Sequence, residues 1–133
     1  MKEQIAKFRF KGYKIIESHI SIKPEEETSQ NLNVEFKQTI GVNEEGGIND
    51  EGHNMRLEMT AIIKDENSVL DINIKAQGFF EFESDLKPEE KDIFFRTSAP
   101  AILFPYVRAY ITTLSSLAGV KPVILPTLNM SQR

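Results

Sequence analysis

The sequence predicts an α+β fold in which a four-stranded antiparallel meander sheet packs on one long C-terminal helix. Two observations carry this expectation. Between Phe8 and Glu83 apolar and polar side chains alternate in four runs separated by polar turns, the period of half-buried strands. From Ala99 to Leu117 the large apolar side chains instead recur every three or four positions, with prolines near the start and a glycine and further prolines beyond the end.

In the first run Phe8, Phe10, Ile16, Ile20 and Ile22 fall on even positions, opposite Glu17, His19, Ser21 and Lys23. Lys14 interrupts the even face, which suggests two short strands with a bend near Gly12. Pro24 and the acids Glu25, Glu26 and Glu27 end the run. In the second, Leu32, Val34, Phe36, Ile40 and Val42 share a face, and Asn33, Glu35, Lys37 and Thr39 share the other. A polar loop rich in glycine, Asn43 to Gly52, follows. The third strand points Met55, Leu57, Met59, Ala61 and Ile63 inward. Asp65-Glu66-Asn67-Ser68 then reads as a hairpin turn. The fourth strand sets Leu70, Ile72, Ile74, Ala76, Gly78, Phe80 and Phe82 against Asp71, Asn73, Lys75, Gln77, Glu81 and Glu83, with Phe79 an apolar exception on the polar face.

An antiparallel sheet can leave one face in water, so its apolar face needs a cover, and only the C-terminal third can supply it. Lys87 to Lys91 starts a short acidic helix carrying Ile93, Phe94 and Phe95. Ser98 is placed to cap the long helix, with Pro100 in its first turn. Gly119 suits the position just past the helix, and Pro122 prevents continuation. Leu103, Val107, Tyr110, Leu114 and Leu117 form a narrow seam, while Ile102, Tyr106 and Ile111 lie off it. A helix apolar on more than one side needs two covers. One sheet provides the first, and a second copy of the chain is the simplest second.

Composition narrows the function. A chain of 133 residues with 40% hydrophobic content fits one domain, spanning 1–133, with a core large enough to need no metal or disulfide. Cysteine is absent, which removes disulfides, thiolate metal sites and cysteine nucleophiles and fits a reducing, cytoplasmic setting. The first ten residues mix charge among isolated apolar side chains, unlike a signal peptide, and no run approaches a membrane span. A net charge of −4 argues against a nucleic-acid partner.

No enzyme constellation is visible. The sequence has no Gly-x-Ser-x-Gly elbow, no phosphate-binding loop and no His-Glu-x-x-His pair. His19 and His53 read as surface histidines, and the loop from Asn43 does not sustain the ligand spacing of a calcium site. No cofactor is expected. Phe79, Phe94, Phe95, Phe104, Tyr106 and Tyr110 gather between the end of the fourth strand and the middle of the long helix, where they fit either core packing or an apolar groove.

The run Ala99-Pro100-Ala101-Ile102-Leu103-Phe104-Pro105-Tyr106-Val107-Arg108, followed by Ile111-Thr112, resembles the signature of the SecB family of protein-export chaperones. Gln77-Gly78-Phe79-Phe80 resembles that family's motif at the end of the fourth strand, and the segment from Gly119 through Pro122 to Asn129 resembles the stretch after its helix. The resemblance implies an ATP-independent holdase, without enzyme activity, that binds unfolded polypeptides or preproteins and hands them to the SecA motor. It implies a dimer of dimers with long helices packed between sheets. It places a client groove at Leu32, Val34, Phe36, Phe79, Phe94, Phe95, Phe104, Tyr106 and Leu125, and an oligomer interface at Val107, Tyr110, Ile111, Leu114 and Leu117. Two departures stand out. The family continues into a second helix and a SecA-contacting tail, whereas this sequence ends at Arg133. Where the family presents acids to SecA, the aligned residues are His19, Lys23 and Asn73, which weighs against SecA coupling and toward an interaction module dedicated to one partner, such as an antitoxin.

Overall fold

In the computed structural model of the chain, residues 8–42, 52–83 and 85–126 are described. Residues 43–51 of the expected loop Asn43 to Gly52, the His53 side chain and the segment from Thr127 onward lie outside them, while Gly52 opens the third strand. Strands β1 (Phe8–Ile22), β2 (Leu32–Val42), β3 (Gly52–Asp65) and β4 (Leu70–Glu83) form one antiparallel sheet in the order β1-β4-β3-β2. The meander therefore holds for β2, β3 and β4, and β1 pairs on the far side of β4. The chain between β1 and β2 must cross from one sheet edge to the other, and this crossover runs through residues 23–31.

The alternation in β3 and β4 is the expected one. Met55, Leu57, Met59, Ala61 and Ile63 are buried, as are Leu70, Ile72, Ile74, Ala76, Phe80 and Phe82. β1 is one continuous strand rather than two. It carries irregularities between Phe10 and Gly12 and between Ile15 and Glu17, each of which inserts a residue. Gly12 has a φ of 133°, a conformation that side chains rarely adopt. The insertions move Tyr13 and Ile15 onto the inner face and leave Ile16 41% exposed, although its even position suggested burial.

Helices α1 (Pro88–Ile93) and α2 (Ala99–Leu117) are joined by a π-helical turn, Phe94–Ser98. Pro88 occupies the first turn of α1, and the Glu90 carboxylate accepts the Lys87 backbone N–H at 3.0 Å, as in a capping box. Ser98 is not a cap. Its backbone is helical and its side chain makes no capping bond, because the π turn already donates through it into α2. The far end follows expectation. Gly119, at φ 100°, donates to Ser116 and Val120 donates to Ser115, the paired bonds of a glycine-terminated helix.

The buried stripe of α2 is Pro100, Leu103, Phe104, Val107, Ile111 and Ser115, which lies on the sheet. Gly78 permits this close seat, since a β-carbon there would come within 3.3 Å of the Leu103 side chain. Val107 and Ile111, expected at an oligomer interface, are fully buried within their own chain. The buried positions Leu103, Val107, Ile111 and Ser115 step by four and so wind around the helix, whereas Leu103, Val107, Tyr110, Leu114 and Leu117 alternate steps of four and three and keep to a 3.5 repeat.

Candidate client-binding groove

The two faces of the sheet differ. The face away from α2 is polar and cross-linked by charge. Arg9 and Lys11 pair with Glu81, and Lys75 lies within 4 Å of Glu17 and Glu58. Hydrogen bonding to Arg9 holds the Glu81 carboxyl below its ordinary value, against the opposing effect of burial. His19 and Asn73 face each other across this surface, both exposed. Phe79 also lies here, half-buried among polar neighbours, because the inner parity of β4 belongs to Gly78 and Phe80. It is separated from the other groove residues by the thickness of the sheet.

On the inner face the cover is uneven. Aromatic rings fasten α2 and the π turn to β1. Phe8 stacks on Phe94 with ring centres 4.5 Å apart, Tyr13 stacks on Tyr106 at 4.5 Å, and Phe10 lies between Phe80 and Tyr106. The Tyr110 hydroxyl bonds Ser18 at 2.8 Å. Phe94 and Tyr106 thus belong to the closed side, together with Tyr110. Phe95 packs edge-on against Phe82 at 5.2 Å.

Among the described residues, the cover ends toward β2. Phe36 meets Phe104 edge-on, with ring centres 5.4 Å apart. Beyond that contact Val34, Ile40 and Val42 are 38–42% exposed, while their cross-strand partners Ile63, Leu57 and Met55 are at most 2% exposed. Of the residues expected in a groove, the structure brings together Leu32, Val34, Phe36 and Phe104. Ile40 and Val42 extend the same surface. Their alternation announced a buried face, and nothing in the pattern marked β2 as an edge strand that the helix fails to reach. Leu125 is only 1% exposed and belongs to the core. On the outer side of α2, Leu117 is 83% and Tyr106 40% exposed, and Tyr110 and Leu114 are half-buried.

At the Leu32 end of this surface lies a cleft of about 640 Å³. Ile22, Leu32 and Leu70 line it together with two irregular segments, Glu26–Gln30 of the crossover and Gly119–Ile124 after α2. The sequence did not mark either segment as a wall, since both are short, mixed and without periodicity. The second wall is held to α2 by its backbone: Arg108 donates to the Leu125 carbonyl at 2.6 Å, Thr112 donates to Val123 at 2.7 Å, and the Ser115 hydroxyl accepts the Val123 N–H at 2.8 Å. The first wall is held by Asp65, only 3% exposed, whose carboxylate accepts the N–H groups of Ser29, Val69 and Leu70 at 2.7–2.8 Å. Burial pushes the Asp65 carboxyl up, but these backbone donors outweigh it and hold the group below its ordinary value.

Ile102 to Arg108 thus has a contact for nearly every residue. Leu103, Phe104 and Val107 seat the helix, Tyr106 reaches Tyr13, and Arg108 holds the outgoing chain. Pro105 is exposed, so the carbonyl it leaves unbonded in the helix sits at the solvent side. The family described as preprotein translocase subunit SecB matches residues 16–132. The chain belongs to the SecB family. A protein-export protein SecB of Azoarcus is 29% identical over 94 residues, 68% of this chain and 62% of the relative. An uncharacterised protein of Methanocaldococcus jannaschii is 38% identical over 60 residues, which are 45% of this chain and 38% of that protein. The chain therefore spans less than two thirds of the length of either relative. Among solved structures, a SecB-like chaperone of Mycobacterium tuberculosis in complex with a peptide from an antitoxin superposes with a TM-score of 0.70 at 14% identity, covering 96% of this chain and 91% of that one. A Streptococcus agalactiae protein of unknown function gives 0.54 at 10% identity, covering 90% and 96%. The four-stranded sheet with one long helix is the SecB-like fold. Among the described residues no helix is long and apolar enough to cross a membrane, and no group of three or more His, Cys, Asp or Glu could hold a metal.

Proposed function

We propose that this SecB-family chain is an ATP-independent chaperone that holds non-native polypeptide on the uncovered inner face of β2. One observation carries the reading. Val34, Ile40 and Val42 continue the apolar face of a buried sheet into solvent, beside Phe36 and Phe104 and above a cleft that Leu32 shares. An apolar strip beside an unpaired strand edge accepts extended chains with little demand on their sequence, because its affinity comes from dispersed apolar contact. The exposed residues of α2, with Leu117 foremost, support a second copy as the other cover of the helix, and a dimer of dimers follows the family pattern.

The test is suppression of aggregation of a denatured protein, without nucleotide, at near-stoichiometric amounts. Ile40→Asp with Val42→Asp removes the apolar strip at positions 41–42% exposed, at a cost of about 1–2 kcal/mol each. These variants are expected to fold and to weaken client binding about tenfold, roughly 1.4 kcal/mol. Absence of protection by the unaltered chain sinks the chaperone reading. Wild-type binding by the folded variants moves the groove elsewhere.

A second reading is an interaction module dedicated to one partner, without SecA coupling. The structural relative in complex with an antitoxin peptide favours it, as does the lack of acids at His19, Lys23 and Asn73. Pulldown separates the two: many unfolded clients support the general holdase, and one stoichiometric protein supports the module.

A further inference from the structure

The cleft between the crossover and the segment after α2 has two walls of irregular chain, and each must be held open by something other than a β ladder. Gly119–Ile124 is pinned through Val123 and its neighbour Leu125 to side chains of α2. Glu26–Gln30 is pinned from the opposite side, by the turn between β3 and β4. Most of those bonds lie at the surface: Asn67 donates to the Glu27 carbonyl at 3.3 Å, and Asn31 donates to the Glu66 carboxylate at 3.0 Å. One is sheltered. Asp65 receives the Ser29 N–H on Oδ2 and the Val69 and Leu70 N–H groups on Oδ1. Ser29 and Leu70 both line the cleft, so the carboxylate sits directly behind the junction of its wall and its floor.

We infer that Asp65 is the positioning residue of this cleft: its two oxygens fix the crossover wall against the floor and so set the affinity for an extended apolar peptide segment lying between the walls. The inference rests on the reading of the chain as a binder of non-native polypeptide. The chemistry requires a carboxylate. Three N–H donors converge on two oxygens, and an amide of the same shape accepts on only one of its two terminal atoms. In Asp65→Asn the oxygen that stays with Val69 and Leu70 keeps two bonds, which turns the NH₂ group toward the Ser29 N–H. Donor then faces donor, and the wall is released while the hairpin turn persists.

The experiment compares the full chain with Asp65→Asn and with Arg108→Ala, which loosens the opposite wall. It reads amide hydrogen exchange by segment and the Kd for a labelled, reduced and carboxymethylated α-lactalbumin as an unfolded probe. Asp65→Asn is expected to speed exchange in residues 26–30 and to weaken the probe about tenfold, with residues 120–125 and α2 unchanged. Arg108→Ala is expected to speed exchange in 120–125 and leave 26–30 alone. Should Asp65→Asn fail to fold, Ser29→Pro removes the same N–H, along with the Ser29 Oγ bonds to Asn31 and Glu66 that Ser29→Ala removes alone, and is expected to reproduce the signature where Ser29→Ala does not. Wild-type exchange in 26–30, wild-type affinity, or a uniform rise across sheet and helix overturns the positioning role. An unaltered chain that does not bind the probe overturns instead the chaperone reading on which the role rests.

Discussion

The two edges of the sheet are built from similar residues and meet opposite fates. β1 carries Phe8, Phe10, Tyr13 and Ile15 inward, and each meets a side chain of the core, the π turn or α2. β2 carries Val34, Phe36, Ile40 and Val42 inward, and only Phe36 finds a ring from the helix. The outer lines of the edges differ too, since β1 is kinked by two insertions while β2 pairs with β3 in unbroken register from Leu32 to Val42. Bulges discourage further pairing at an edge, and an even apolar edge invites it. The difference teaches that the helix closes one half of the sheet and leaves the other half for something else to cover.

The largest effect should come from emptying the closed half. Phe80 is 1% exposed and touches Phe8 and Phe10, so Phe80→Ala is expected to cost about 4 kcal/mol in chemical denaturation. Phe36→Ala, on the open half, is expected to cost about 1 kcal/mol while weakening client binding. Equal losses of stability would erase the distinction between the halves. Phe104 is a poorer probe than Phe36, because at 5% exposure a charge placed there would disturb the fold itself.

A smaller effect is expected where the crossover ties the two edges together. The folded Asp65 carboxyl titrates below its ordinary value of 3.8, so its contribution is complete above that pH and is lost as pH falls through the folded value. In acid titrations the stability gap between the unaltered chain and Asp65→Asn should therefore narrow below about pH 4 and stay constant above about pH 5. A gap independent of pH down to about 2 would show that the carboxylate's charge is not what the turn uses. The smallest effect belongs to the outer fastening of β1. Tyr110→Phe removes the bond to Ser18 and should cost about 0.5–1 kcal/mol, without altering client binding on the other edge.

Much of this arrangement is legible in the residues themselves. β3 and β4 are central and read cleanly, because both of their neighbours are strands and every second side chain is buried. Gly119 is legible for the same local reason, since a helix end needs a left-handed residue just there. What alternation cannot express is sheet order. Nothing in β1 says that it joins β4 rather than β2, and so nothing says which strand is left uncovered. The aromatic cluster divides for a related reason. Phe79, Phe94, Phe104 and Tyr106 are close along the chain, but parity in β4 and rotation around α2 send them to different faces. Ser98 misled because a π turn can carry one helix into the next, which removes the need for a cap.

The two insertions in β1 have a consequence for how that strand can change. Each shifts the inward parity by one residue, so Phe8 and Phe10 before the first and Ile20 and Ile22 after the second share even positions, while Tyr13 and Ile15 between them are odd. Together the insertions cancel, much as a second frameshift restores a reading frame. Because each extra residue, Lys11 or Ile16, stands outside the ladder with β4, deleting it would take out one bulge and leave every remaining pair in step. Deleting a paired residue instead would shift part of the strand by one and turn its aromatic or aliphatic side chains to water. Length variation in this strand should therefore fall at these two sites, each able to change alone.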